Sequence, residues 1–176
     1  IKDYLTETGA TKFALLYDKN AVEHSPIVAD LMRLIQSSVD TFLVETPAGE
    51  PDIAKLDTIR SNCKAENCDG AIGLGGGSTM DMAKGLAGVL PNDGDTAGYQ
   101  GLDKLEKPGV PSIMIPTLFG SGAEVTPSAV MINYDTKKKG GINGRNVFPR
   151  IAVIDPELGL NVPRNVLGAT ALDALV

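Results

Sequence analysis

Short apolar runs alternate along this chain with longer segments whose apolar residues recur at helical spacing. Lys12-Phe13-Ala14-Leu15-Leu16-Tyr17 reads as a buried strand. Ser25 and Pro26 then open a helix carrying Ile27, Leu31, Leu34 and Ile35 on its apolar face. A second strand over 41–44 ends at Thr46-Pro47, and Asp52 caps a helix that presents Ile53, Leu56 and Ile59. Strands over 70–74 and 112–115 flank a helix over 78–89, and a first helix over 1–8 stops at Gly9. Strands and helices alternating at these lengths predict an α/β fold. Its sheet is doubly wound and mostly parallel, with helices on both faces.

The second half is less regular. Segments 129–134 and 151–154 read as strands on either side of a loop over 135–149, where Asn143-Gly144 is a turn signal. Residues 91–109, rich in Asp, Gly and Lys, read as a surface excursion. Pro156 and Pro163 bound a loop that leads into a terminal apolar helix. Ile1 is not an initiator methionine, and 168–176 has no C-cap glycine, so the chain is expected to be part of a longer protein.

Composition narrows the classes. With 176 residues the chain fits one domain of ordinary size and leaves no room for two. One histidine excludes a metal site built from several imidazoles of this chain, and two cysteines exclude a disulfide-dense scaffold. Cys63 and Cys68, in a polar helical stretch, read as unpaired thiols of a cytoplasmic protein. A net charge of −6 argues against nucleic acid as a partner, and no apolar run is long enough to cross a membrane. His24, beside Ser25-Pro26, reads as a loop or helix-entry residue without a catalytic pattern around it. Met80 and Met82 read as core.

Sixteen of the 20 glycines fall between Gly70 and Gly144, and three are consecutive in Gly73-Leu74-Gly75-Gly76-Gly77-Ser78. A buried strand enters this turn and a helix leaves it. Unpaired N–H groups at a helix start, together with the positive end of its dipole, bind phosphate, and glycines let the phosphate approach. The alternative is a tight turn in which Ser78 only caps. The string is neither a complete G-x-G-x-x-G fingerprint nor a P-loop, so its chemistry implies a phosphate-containing cofactor of unspecified type.

Four ordered motifs go further. Gly75 to Lys84 is Gly-Gly-Gly-Ser-x-x-Asp-x-Ala-Lys, and Ile115 to Thr126 is a second glycine loop. Ala152 to Leu158 and Ala169 to Leu175 follow at matching spacing. Together they resemble the iron-containing alcohol dehydrogenases, the superfamily that includes glycerol dehydrogenase and dehydroquinate synthase.

The resemblance implies a doubly wound NAD(P)-binding domain followed by an all-helical domain with most of the metal ligands. Gly75, Gly76, Gly77 and Ser78 would bind the pyrophosphate, with Asp81 bracing the loop or lining the cleft. Thr117, Leu118 and Ser121 would lie along the nicotinamide half, Lys139 would reach a ribose, and Ser128 belongs to the same cofactor set. Asp18, at a strand end, would read the adenosine ribose, and its carboxylate favours NAD over NADP; the alternative is a turn residue. Asp173 would be the first ligand of a divalent iron or zinc ion. Leu118, Phe119 and Ala171 depart from the residues usual in the family.

The activity implied is hydride transfer between a small alcohol or aldehyde and nicotinamide, in a homodimer, with this chain inactive alone. A weaker resemblance, carried by Asn92-Asp93-Gly94 and Gly122-Ala123-Glu124-Val125, points to the sugar-acid branch that oxidises 3-deoxy-manno-octulosonate. A non-catalytic nucleotide-binding module is the alternative from another class.

Overall fold

The computed structural model describes residues 1–46 and 49–175. Pro47, expected to end the second strand, and Val176 lie outside the described residues. The main sheet contains β1 (Lys12–Asp18), β2 (Asp40–Thr46), β3 (Gly70–Gly75), β5 (Ser112–Pro116) and β8 (Ile151–Ala152). Its order is β2-β1-β3-β5-β8, and every neighbouring pair is parallel.

Side-chain alternation along β1 explains the layering. Phe13 and Leu15 face one side, where Leu5 of α1 (Lys2–Thr8) and Val28, Met32 and Ile35 of α3 (Pro26–Gln36) cover them. Ala14 and Leu16 face the other, where α4 (Ile53–Ala65) and α5 (Gly77–Val89) pack. Phe13, Leu15 and Leu16 are fully buried, each contributing about 2 kcal/mol of transfer free energy. The doubly wound parallel architecture is therefore present.

Several local expectations change. The core side of α3 is set by Val28, Met32 and Ile35; Leu34 is 41% exposed, because the stripe lies about one position away from the predicted one. The 135–149 segment is not all loop. Lys138–Asn143 forms β7, antiparallel to β6 (Ser128–Asn133), around a turn in which Lys137 takes a left-handed φ of 54°. Polar lysines and paired glycines hid that strand. The excursion contributes β4 (Gly101–Leu102), parallel to β7, which completes a second sheet of order β4-β7-β6. The strand expected over 151–154 shortens to the two residues of β8.

This small sheet covers the outer side of α5, so the helix is buried nearly all round. Gly85 permits that approach, since a Cβ there would fall 2.2 Å from Met131 Cε. Met80 and Met82 are core, as read. Both cysteines are free and buried. Cys68 lies beyond the end of α4 rather than inside a helix, and burial raises both thiols, Cys63 to about 12. Among the described residues no helix is long and apolar enough to cross a membrane.

Candidate functional site

Strand order reverses beside β1. The chain places β2 on one side of it and β3 on the other, which opens a crevice at the carboxyl ends of β1 and β3. Asp18 ends β1 and Gly75 ends β3 at that crevice. The two touch: a Cβ built on Gly75 would lie 3.0 Å from Asp18 Cβ. Asp18 also caps α2 (Lys19–His24), accepting the Asn20 N–H at 2.9 Å through one carboxylate oxygen. His24, expected in a loop or at a helix entry, instead ends α2, with Nδ1 2.9 Å from the Asn20 carbonyl.

Gly76 is the N-cap of α5, and no side chain caps the helix. Ser78 is therefore inside its first turn, not the capping residue. The first bond of the helix is Met80 N–H to Gly76 C=O, so the N–H groups of Gly77, Ser78 and Thr79 precede the helical ladder. With the helix dipole behind them they form an anion cradle. The second glycine loop packs directly over this turn. A Cβ on Gly76 would sit 3.1 Å from Leu118 Cδ1, and one on Gly77 would sit 2.9 Å from Ser121 Oγ. Thr117 N–H donates to the Gly75 carbonyl at 2.9 Å, tying the two loops together. The absence of side chains at Gly76 and Gly77 is what lets the second loop approach this closely.

Two clefts meet at Leu118. One, of about 600 Å³, includes Asp18, Asn20, His24, Thr117, Leu118 and Asn161, with an apolar wall from Val28, Leu158, Val162 and Val166. The other, of about 420 Å³, brings together Gly77, Ser78, Asp81, Leu118, Ser121, Lys139 and Asp173. Glu50, Phe119, Val130 and Thr170 complete it. Ser128 lines neither cleft: its hydroxyl is bonded to Asn143 Oδ1 at 2.5 Å, and its carbonyl accepts from Lys84. Glu50 and Asn161 carry no sequence signal that would have selected them, since each is an isolated polar residue in a connecting segment.

Charge is concentrated in the second cleft. Asp81 and Lys84 pair at 2.8 Å on α5, Asp81 accepts the Val130 N–H, and Lys84 also donates to Thr126 Oγ1 at 3.0 Å. Lys84 is fully buried. Burial pushes the Asp81 carboxyl above the ordinary carboxylate range, opposed by the Lys84 ammonium and the Val130 N–H. Lys139 Nζ lies 2.6 Å from Glu50 in a half-exposed ion pair. Asp173 ends α6 (Arg164–Asp173), which docks on the second loop where a Cβ on Gly120 would meet the Thr170 carbonyl at 2.3 Å.

Asp173 is suited to be one oxygen ligand of a hard cation, but among the described residues no group of three or more His, Cys, Asp or Glu could hold a metal. These residues alone do not make a metal centre.

A switch-point crevice with an uncapped glycine turn defines a doubly wound α/β domain of the dinucleotide-binding kind. The model of the iron-containing alcohol dehydrogenases matches residues 1–156, and the chain belongs to that family. It is 40% identical over 175 residues to the NAD-dependent methanol dehydrogenase of Bacillus methanolicus, covering 97% of this chain and 45% of that protein. It is 30% identical to the 4-hydroxybutyrate dehydrogenase of Cupriavidus necator, covering 99% of this chain and 46% of that one. Among solved structures, the sulfoacetaldehyde reductase of Bifidobacterium kashiwanohense in complex with NAD+ superposes with a TM-score of 0.84 at 29% identity, covering 98% of this chain and 46% of that one. The chain thus spans about half the length of these relatives.

Proposed function

We propose that this chain is the cofactor-binding part of a metal-dependent, NAD-linked alcohol dehydrogenase acting on a small alcohol or aldehyde. The observation that carries the reading is the uncapped three-glycine turn, packed against Asp18 on one side and against Leu118 and Ser121 on the other. Names of relatives that include an NAD-dependent methanol dehydrogenase and a complex with NAD+ support the same cofactor.

The residues divide the work along the nucleotide. The N–H groups of Gly77 and Ser78 hold the pyrophosphate, with Gly75 and Gly76 forming its floor. Asp18 accepts from the hydroxyls of the adenosine ribose and repels a 2′-phosphate, because two anions at that distance cannot be neutralised there. Thr117, Leu118 and Ser121 flank the nicotinamide half, and Lys139 exchanges Glu50 for a ribose hydroxyl. Asp81 braces the turn through Val130 and Lys84. Bound NAD supplies the hydride acceptor. Asp173 contributes one hard ligand to a divalent metal, iron or zinc, whose other ligands come from outside these residues. In this reading 1–167 hold the cofactor, 168–176 begin the metal-binding part, and the chain by itself turns over no substrate.

The test is a calorimetric titration of the 176-residue chain with NADH and with NADPH. NADH binds, and Asp18→Gly shifts the NADH-to-NADPH preference about tenfold toward NADPH, the size expected for removing one charged hydrogen-bond pair and one repulsion. An unchanged preference would show that Asp18 does not read the ribose.

A further inference from the structure

Two buried threonines join three separate elements directly behind the Asp18 end of the crevice. Thr46, the last residue of β2, stands in register with Asp18 of β1. Its hydroxyl donates to the Tyr17 carbonyl at 2.9 Å and lies 2.9 Å from the hydroxyl of Thr79, in the first turn of α5. A hydroxyl has one proton. Since Thr46 gives its proton to Tyr17, Thr79 must donate to Thr46. The result is a directed chain from Thr79 O–H to Thr46 O–H to the carbonyl of Tyr17, the residue preceding Asp18.

The chain is largely shielded from water, with Thr46 9% and Thr79 5% exposed. It also brackets the glycine turn. The Cβ position of Gly75 lies 2.8 Å from Thr79 Oγ1 and 3.0 Å from Asp18 Cβ, so Gly75 is held between the helix that presents the phosphate-binding N–H groups and the carboxylate.

We infer that Thr46 and Thr79 are positioning residues that fix the span between the Asp18 carboxylate and the start of α5, and thereby set how sharply the site selects a free ribose 2′-hydroxyl over a 2′-phosphate. The inference rests on the nucleotide-binding reading above. Neither hydroxyl is assigned a cofactor contact in that reading. Without the hydroxyl chain, the ends of β1 and β2 lose their direct side-chain tie to α5 and are held to it through sheet pairing and core packing. Asp18 then meets the ribose at a variable distance while the N–H cradle stays intact. Pyrophosphate binding is largely kept and discrimination is lost.

The experiment compares Thr79→Val, Thr46→Val and Thr79→Ser in the full chain by calorimetric titration with NADH and NADPH, alongside thermal melts. Thr79→Val keeps the shape and removes the proton donor. It should weaken NADH about threefold to tenfold, the range for one net hydrogen bond, while NADPH changes less, so that the preference narrows. Thr79→Ser, which keeps the hydroxyl, should restore the preference to within about twofold of the parent. Thr46→Val removes both bonds and should narrow the preference at least as much as Thr79→Val, and the double variant should be no worse than Thr46→Val alone, because Thr79 acts only through Thr46.

An equal loss for both cofactors, with the ratio unchanged, would overturn the inference, since that is the signature of general loosening. Thr79→Ser behaving like Thr79→Val would also overturn it, as the hydroxyl would not be the agent. A Val variant that fails to fold while the Ser variant shows no preference would assign the pair to stability alone. Failure of the parent chain to bind NADH at all is a separate result. It overturns the nucleotide-binding reading, and this inference falls with it.

Discussion

The two clefts that meet at Leu118 differ in what surrounds them. The Asp18 cleft has an apolar wall from α3, the turn at Leu158 and the start of α6, and a single carboxylate held in place by the Asn20 N–H. It is built from elements on both sides of the sheet crevice, all supplied by this chain. The Asp173 cleft is smaller and more charged, with Glu50 and Lys139 half exposed at its rim. Its metal-ligand candidate stands at the exposed end of a helix that buries none of its own residues. In the proposed reading the first cleft receives the adenosine end of the dinucleotide. The second has the inner wall of a reaction site without the ligands that a metal needs.

That contrast can be broken at three levels. The largest effect is expected at the glycine turn between the clefts. In Gly75→Val the new side chain collides with Thr79 and Asp18, and an overpacking strain of about 1–3 kcal/mol borne by the bound state corresponds to about 5- to 150-fold weaker NADH binding by titration. A next, different effect belongs to the wall of the second cleft. Asp81→Asn leaves the buried Lys84 without its carboxylate and should cost about 3 kcal/mol of stability in a denaturant melt. The same variant should also weaken ADP-ribose binding, because in the proposed reading Asp81 braces the turn that holds the pyrophosphate. The smallest effect is at the rim. Glu50→Gln removes an exposed ion pair with Lys139 and should change stability by less than about 1 kcal/mol.

Sequence pattern exposed the second cleft better than the first: Gly77, Ser78, Asp81, Ser121, Lys139 and Asp173 all line it, whereas the first holds Asp18 and Thr117 beside the shared Leu118. The glycine turn, the strand ends at Asp18 and Thr117, and the sheet class all follow from local signals: a buried run, a tight turn, a helix start. Residues such as Glu50, Val130 and Asn161 reach the clefts from distant segments by tertiary packing, and nothing in their neighbours marks them. Strand β7 escaped notice because Lys138, Lys139, Gly140 and Gly141 have low strand propensity and are held there by pairing with β6. Ser128 stands apart from the other candidates. The family pattern assigned it to the cofactor set, whereas its hydroxyl is engaged with Asn143 and it lines neither cleft.

The central claim, that this chain is complete for the nucleotide's adenosine half and incomplete for the reacting half, is tested most directly with ADP-ribose, which lacks nicotinamide. Calorimetric titration of the 176-residue chain should give ADP-ribose and NADH dissociation constants within about threefold of each other, a difference under 1 kcal/mol. A chain that binds NADH far more tightly than ADP-ribose, or that binds neither, would contradict the account.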